Sequence, residues 1–172
     1  MKRSISVWQI CGYAFTMLLG TLLHFLYDLT GSILTAPFSA VNESTWEHMK
    51  ILFIPMLAFA IFQSFFFKDA KCFWCVKLYG IMLGLYLIPT LFYTYNGVVG
   101  KSSDIINIAI FFISGLLAFY FETKLFKGDL KCKRQRVCLL VLIVTGILFV
   151  LFTFFTPEIG IFADPVSGNY GI

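Results

Sequence analysis

Five long apolar runs constrain this chain more than any other feature of its sequence. They cover about residues 5–27, 45–67, 76–95, 104–125 and 137–155. Each approaches the length of about 20 residues that a helix needs to cross a bilayer. Apolar residues make up 59 % of the chain and charged residues 13 %, whereas soluble domains have about 45–50 % and about 25 %. We therefore predict an all-α integral membrane bundle, a single domain of five transmembrane helices embedded in the lipid bilayer.

Basic residues are divided unequally between the two predicted sides of the membrane. Eleven of the thirteen lysines and arginines lie near the N-terminus, the second connection or the fourth connection, and the other two are Lys50 and Lys101. The positive-inside rule then predicts a cytoplasmic N-terminus and an external C-terminus. Because this division explains the net charge of +4, we expect no nucleic-acid partner.

The C-terminal segment, residues 156–172, is too apolar for a free tail. Ile161, Phe162 and Val166 alternate in it with turn-forming residues such as Pro157. We expect this tail to fold over the external face of the bundle.

A polar stretch, residues 41–50, opens the second apolar run. It contains Glu43, Glu47 and His48, and Ser44 stands three residues before Glu47. This spacing is that of a capping box, in which the serine hydroxyl and the glutamate satisfy backbone N–H groups at a helix N-terminus. The stretch therefore predicts the start of the second helix and places three ionisable groups there.

The remaining histidine lies across the first connection from this stretch. His24 and Asp28 are four residues apart at the end of the first run, so they share one helix face. Ionisable groups at the edge of the hydrocarbon are costly and tend to face the bundle interior. We therefore predict that His24, Asp28, Glu47 and His48 converge between helices 1 and 2 on the external side.

Histidines and carboxylates are common ligands of zinc, iron and manganese. The candidate metal ligands are His24, Asp28 and His48, and Glu43 or Glu47 would be the catalytic base toward a metal-activated water. Further candidates for lining the site are Asn42, Trp46 and Asp164. His-Glu-x-x-His and Glu-x-x-His are both absent. A metal-free hydrogen-bonded network, or solvation at the interface, explains the same residues.

Three functions stay open at this point. The first is metal-dependent hydrolysis of a lipid or small amphiphile. The second is a small-solute transporter, or a transporter subunit, that binds its ligand at the outer mouth. The third is a structural membrane scaffold. No charged residue lies in the middle third of a predicted span, although proton- and ion-coupled carriers usually need one.

Four cysteines lie on the predicted cytoplasmic side. Cys72 and Cys75 form a Cys-x-x-Cys pair, and Cys132 and Cys138 follow with five residues between them. Because the cytosol keeps thiols reduced, we expect Cys72 and Cys75 to be reduced, and their replacement by serine to leave stability nearly unchanged. A four-thiolate zinc site is the alternative, although the second spacing departs from that of a zinc knuckle.

Three segments together resemble a known protein family. They are His24-Phe-Leu-Tyr-Asp28, the stretch Val-Asn-Glu-Ser-Thr-Trp-Glu-His that ends at His48, and the closing Asp-Pro-Val-Ser-Gly-Asn-Tyr-Gly at 164–171. This combination is similar to an uncharacterised family of small bacterial multi-pass membrane proteins, and it covers nearly the whole chain. The resemblance implies a bacterial cytoplasmic membrane location and supports the choice of residues, but it implies no activity.

Overall fold

The computed structural model describes residues 2–68, 70, 72–100 and 103–172, with side chains from Ser4 onward. Its helices are α1 (Lys2–Thr30), α2 (Thr45–Ser64), α3 (Phe73–Val99), α4 (Asp104–Lys127) and α5 (Gln135–Phe154), followed by a 3-10 turn at Gly160–Phe162. In the described part of the chain, β pairing is limited to an isolated antiparallel bridge between Ala163 and Tyr170. The predicted all-α fold is confirmed. All five helices are long and apolar enough to cross a membrane.

Helix α3 is longer at both ends than the predicted range of 76–95. It begins at Phe73, after Cys72 in the left-handed conformation with φ 64°, and it ends before Gly100 with φ 73°. A left-handed residue, most often glycine, is a common end of a helix at its C-terminus. Gly100, rather than the limit of the apolar run, therefore fixes where α3 ends.

Small residues let the helices approach closely. A Cβ atom at Gly12 of α1 would overlap the rings of Phe59 on α2 and Phe119 on α4. At Gly84 of α3, a Cβ atom would lie 3.3 Å from Ala118 Cβ on α4. Close packing of this kind is the main source of helix association in lipid, where the hydrophobic effect between helices is lost.

The outward surfaces of the bundle are apolar. Leu18 and Leu22 on α1 are 70 % and 67 % exposed, and Leu140 and Ile147 on α5 are 56 % and 59 % exposed. Soluble monomers rarely expose apolar patches larger than a few hundred Å². These helices therefore have the surface of a multi-pass membrane protein, with hydrocarbon as their solvent.

A buried ion pair joins three helices near the end of the bundle that carries the cysteines. Lys77 on α3 is 1 % exposed and Glu122 on α4 is fully buried. Lys77 Nζ lies 2.6 Å from Glu122 Oε2, and Gln9 on α1 donates to the same oxygen at 2.7 Å. The Lys77 ammonium also lies 5.7 Å from the centroid of the Phe59 ring. The sequence analysis missed this pair because its partners stand 45 residues apart.

Two of the lysines that were counted to predict the orientation belong to buried ion pairs. Lys77 on one side and Lys50 on the other were counted as loop charges, but both are buried against carboxylates. Removing them leaves ten basic residues on the predicted cytoplasmic side and one on the other. The asymmetry that predicts the orientation therefore remains.

The prediction that Cys72 and Cys75 are reduced is wrong in this structure. Cys72 is bonded to Cys132 and Cys75 to Cys138, with Cα–Cα separations of 5.6 and 5.0 Å. The first bond joins the α2–α3 connection to the α4–α5 connection, and the second joins the first turn of α3 to the first turn of α5. The folded bundle brings these connections together at one end, which spacing along the sequence does not reveal.

Removing one partner of the buried pair should destabilise the bundle strongly. We expect Glu122→Ala to lower the free energy of unfolding by about 3–5 kcal/mol, because the Lys77 charge stays buried without its partner. Reversible denaturation in detergent micelles measures the change. Lys124→Ala, an exposed charge on the same helix, is the control and should be nearly neutral. Equal stability of the two variants would contradict the importance of the pair.

Candidate metal centre

Two histidines and one glutamate meet at the end of the bundle opposite the cysteines. His24 comes from the last part of α1, Glu43 from the connection before α2, and His48 from the first turn of α2. Glu43 Oε1 lies 3.5 Å from His24 Nε2, and Glu43 Oε2 lies 3.6 Å from His48 Nε2. One ligand atom from each residue lies within 4.8 Å of the other two. One carboxylate thus stands between two imidazoles.

A hydrogen bond at Nδ1 of the His48 ring determines which ring nitrogen carries the proton. His48 Nδ1 lies 2.9 Å from the carbonyl oxygen of Ser44. A carbonyl only accepts, so Nδ1 must carry the proton and donate. In the neutral ring, Nε2 then keeps its lone pair beside the Glu43 carboxylate. A metal-bound histidine usually donates such a hydrogen bond from its other ring nitrogen, and the bond fixes the orientation of the ring.

The spacing of the three ligand atoms suits a metal ion better than direct hydrogen bonds. N–H···O bonds are about 2.7–3.2 Å long, and both histidine–glutamate separations exceed that. Two ligands at about 2.0–2.1 Å from a tetrahedral zinc ion lie roughly 3.3–3.4 Å apart. The observed separations are close to this value, so small side-chain movements would complete a three-ligand site.

A second buried ion pair holds the connection that carries Glu43. Lys50 is fully buried and Glu47 is 2 % exposed, and Lys50 Nζ lies 2.5 Å from Glu47 Oε2. The same carboxylate oxygen accepts the Val41 N–H at 3.1 Å. Lys50 also donates to Ala36 O at 2.9 Å and to Thr153 Oγ1 at 2.8 Å. This pair therefore ties the α1–α2 connection to both α2 and α5.

Local hydrogen bonds complete the path of the connection into α2. Ser44 Oγ accepts the Glu47 N–H at 3.4 Å, so the serine half of the predicted capping box is confirmed. The other half is wrong, since the Glu47 side chain bonds Val41 and Lys50 instead of the Ser44 N–H. Asn42 Oδ1 accepts the Ser44 N–H at 2.9 Å in its place.

The histidine–glutamate group opens into a cavity of about 630 Å³. Its polar wall adds Thr45, Asp104 and Asn107 to the three ligand candidates. Its apolar wall consists of Phe25, Ile88, Phe92, Ile108, Ile110, Pro165 and Val166. The cavity therefore offers a charged end and a long apolar side, contributed by four helices and the C-terminal tail.

The structure brings the two histidines together as predicted, with ring centroids 5.4 Å apart, but the expected shell is only partly correct. Asp28 is exposed and is not part of the group. Glu47 is buried against Lys50 rather than open to the cavity. Consecutive residues of a helix point about 100° apart, so Glu47 and its neighbour His48 face different surroundings.

Asn42, Trp46 and Asp164, which were expected to line the site, make other contacts. Trp46 stacks at 4.6 Å centroid distances on Phe149 of α5 and Phe162 of the tail. Asn42 Nδ2 donates to Gly171 O at 2.9 Å. The Asp164 carboxylate accepts the Val166 N–H at 2.8 Å, within its own turn. Trp46 and Asn42 therefore fasten the tail, Asp164 stabilises a turn within it, and none of the three is among the residues that line the cavity.

Asp104 and Asn107 are the site residues that the sequence analysis missed as candidates. They stand three apart in the first turn of α4, at the same end of the bundle as the histidines. Spacing along the sequence gives no reason to link Asp104 to the histidines, because it follows His48 by 56 residues and lies two helices further along the chain.

Comparison with known proteins identifies the family of this chain. The model of a family of unknown function, DUF6512, matches residues 1–172, and the chain belongs to this family. The predicted membership of an uncharacterised family is thereby confirmed. No curated protein and no solved structure matches the chain.

Loss of the Trp46 ring should release the tail. We expect Trp46→Ala to increase the rate of proteolysis within residues 156–172 at least several-fold, because the ring contacts to Phe149 and Phe162 are lost. Limited proteolysis followed by mass spectrometry measures the rate. Trp8→Ala, at the opposite end among Phe66 and Phe67, is the control. A tail cut equally slowly in both variants would show that Trp46 does not hold it.

Proposed function

We propose that this DUF6512 chain is a membrane enzyme that binds a divalent transition metal ion through His24, Glu43 and His48, and that it hydrolyses a lipid or small amphiphile in the adjoining cavity. One observation carries the proposal. Two imidazole Nε2 atoms lie 3.5 and 3.6 Å from the two oxygens of one carboxylate, at the polar end of a largely apolar cavity.

The type of metal site follows from the number and kind of ligands. Two histidines and one glutamate form a ligand set that catalytic zinc sites use, and three protein ligands leave a position open for water or substrate. Iron and manganese accept the same ligand types. Among these ions, zinc fits the proposed hydrolysis best, because it is a Lewis acid without redox chemistry.

The walls of the cavity support an amphiphilic substrate. Phe25 of α1 and Ile108 of α4 line the cavity and are 52 % and 59 % exposed on the bundle surface, where the bilayer would surround them. An acyl chain can therefore lie along the apolar wall while its ester group reaches the histidines. A fully water-soluble substrate would leave this apolar wall in contact with water, which is unfavourable by about 25 cal/mol for each Å² of apolar surface.

The proposed reaction needs a Lewis acid and a base. A bound metal ion would polarise the ester carbonyl or phosphoryl group and lower the pKa of a bound water. Glu47 was a candidate base in the sequence, but it is held by Lys50, and Glu43 lies between the histidines. Asp104 is the remaining carboxylate of the cavity. It would accept a proton from water as the water oxygen bonds to the carbonyl carbon or phosphorus, and it would give that proton to the leaving alcohol oxygen as the ester bond breaks.

The charge distribution supports an outward position for this site. In the predicted topology, ten basic residues belong to the cytoplasmic segments of the sequence and one to the external segments, once the two buried lysines are set aside. By the positive-inside rule the histidine end then faces outward from the cell membrane. The substrate would be drawn from the outer leaflet.

Metal content should depend on the three proposed ligands and not on Asp28. Elemental analysis of purified protein loaded with zinc should give one equivalent at this site, and His24→Ala, Glu43→Ala and His48→Ala should each lose it. Asp28→Ala, one helix turn away, is the matched control and should retain it. Zinc retained in His48→Ala, or lost in Asp28→Ala, would contradict the assignment of ligands.

Hydrolysis should depend on both the metal and Asp104. We expect activity toward ester and phosphoester amphiphiles that increases with acyl chain length, disappears with a chelator and returns with zinc. Asp104→Asn should keep the metal and lower kcat about 10²-fold or more, as expected for loss of a general base. Metal binding without hydrolysis, combined with stabilisation by an unmodified amphiphile, would instead indicate a transporter or binding protein.

A further inference from the structure

We propose that the four cysteines at the other end of the bundle form a second metal site, a zinc tetrathiolate that assembles when the two disulfides are reduced. The site consists of Cys72, Cys75, Cys132 and Cys138 and does not depend on the proposed function of the histidine end. Its disulfide-bonded and zinc-bound forms would be alternative states of the same four sulfur atoms.

The fold places all four sulfurs in one small region. Cys72, Cys75 and Cys138 belong to a single buried cluster against which Cys132 packs. The Cys72–Cys132 and Cys75–Cys138 pairs have Cα separations of 5.6 and 5.0 Å. Within each pair the two cysteines are close enough to bind one zinc ion with Zn–S bonds of about 2.3 Å, and both pairs belong to the same cluster. The irregular Cys132–Cys138 spacing is therefore no obstacle, because the folded connections already bring both residues to the site.

The backbone around the cysteines is suited to thiolates. Cys72 directly precedes α3, Cys75 lies in its first turn, and Cys138 lies in the first turn of α5. Helix N-termini stabilise negative charge and favour the thiolate form of cysteine. The Cys132 N–H also points at Cys72 Sγ, 3.0 Å away. Two helix ends and one backbone donor therefore converge on these sulfurs.

The surrounding charge also favours a tetrathiolate. Zinc with four thiolates carries a net charge of −2, and Lys131, Lys133 and Arg134 lie exposed in the connection that contains Cys132. The same basic residues predict that this end faces the cytosol, where disulfides are kept reduced. Four thiols buried together in that compartment would have a strong affinity for zinc.

The chemistry balances with a dithiol as reductant. Each protein disulfide receives two electrons and two protons from one dithiol, which becomes a disulfide, and yields two cysteine thiols. Zinc then binds the four sulfurs as their four protons are released. In the reverse direction, two molecules of a small-molecule disulfide would accept four electrons from the four thiolates and become thiolates themselves, while the two protein disulfides form and the zinc ion is released.

Cobalt is the most direct probe, because cobalt bound to thiolates shows a sulfur-to-metal charge-transfer absorption that histidine and carboxylate ligands do not give. The protein would be reduced with a phosphine and titrated with cobalt in the His24→Ala, His48→Ala background, which removes the other proposed site. We expect one equivalent of thiolate-bound cobalt per chain, its displacement by zinc, and no signal from the oxidised protein.

Single replacements identify the ligands. Cys72→Ser and Cys138→Ser should each abolish the four-thiolate spectrum, whereas Cys11→Ser, which changes the free and exposed cysteine of α1, should leave it intact. Circular dichroism shows whether each variant is folded. The cobalt titration of protein with all of its cysteines unchanged is a test that does not depend on whether the cysteine variants fold. A reduced, folded protein without the charge-transfer band, or disulfides that resist reduction in the folded protein, would overturn the proposal.

Discussion

The buried Lys50–Glu47 pair is the interaction on which the histidine end depends. Both side chains are almost completely excluded from solvent, a position in which an ion pair is tolerated only when its remaining hydrogen bonds are satisfied. They are satisfied by the connection itself, through Val41 N–H and Ala36 O, and by Thr153 of α5. The charges therefore dictate the path of residues 36–47, and with it the position of Glu43 between two helices.

The opposite end of the bundle also contains a buried ion pair, and this pair joins three helices. Lys77, Glu122 and Gln9 tie α3, α4 and α1 together, and the two disulfides join the connections and the first turns of α3 and α5 at the same end. Between the two ends the core is made of aliphatic and aromatic side chains such as Phe53 and Leu52. Buried charges therefore join the helices near both ends of the bundle, and apolar packing joins them between.

The sequence predicted the parts of this structure that follow from local pattern. The lengths of the apolar runs predicted five helices. The positions of the two histidines, on either side of the first connection, predicted that they lie close together. It did not predict the role of Glu47, because a capping box and a buried ion pair place the same residue type at the same position. Pairings such as Cys72 with Cys132, or Lys77 with Glu122, join residues distant along the chain, and only the packed bundle brings them into contact.

The most direct test of the account is an anomalous difference map at the zinc edge from crystals of the full chain soaked in zinc. The account predicts a peak about 2.0–2.2 Å from His24 Nε2, His48 Nε2 and a Glu43 oxygen, with Glu47 still bonded to Lys50 and the open position facing the cavity. A peak bound by Glu47 or Asp28 would contradict it. So would a map without a peak at the histidines, with both imidazoles hydrogen-bonded directly to Glu43.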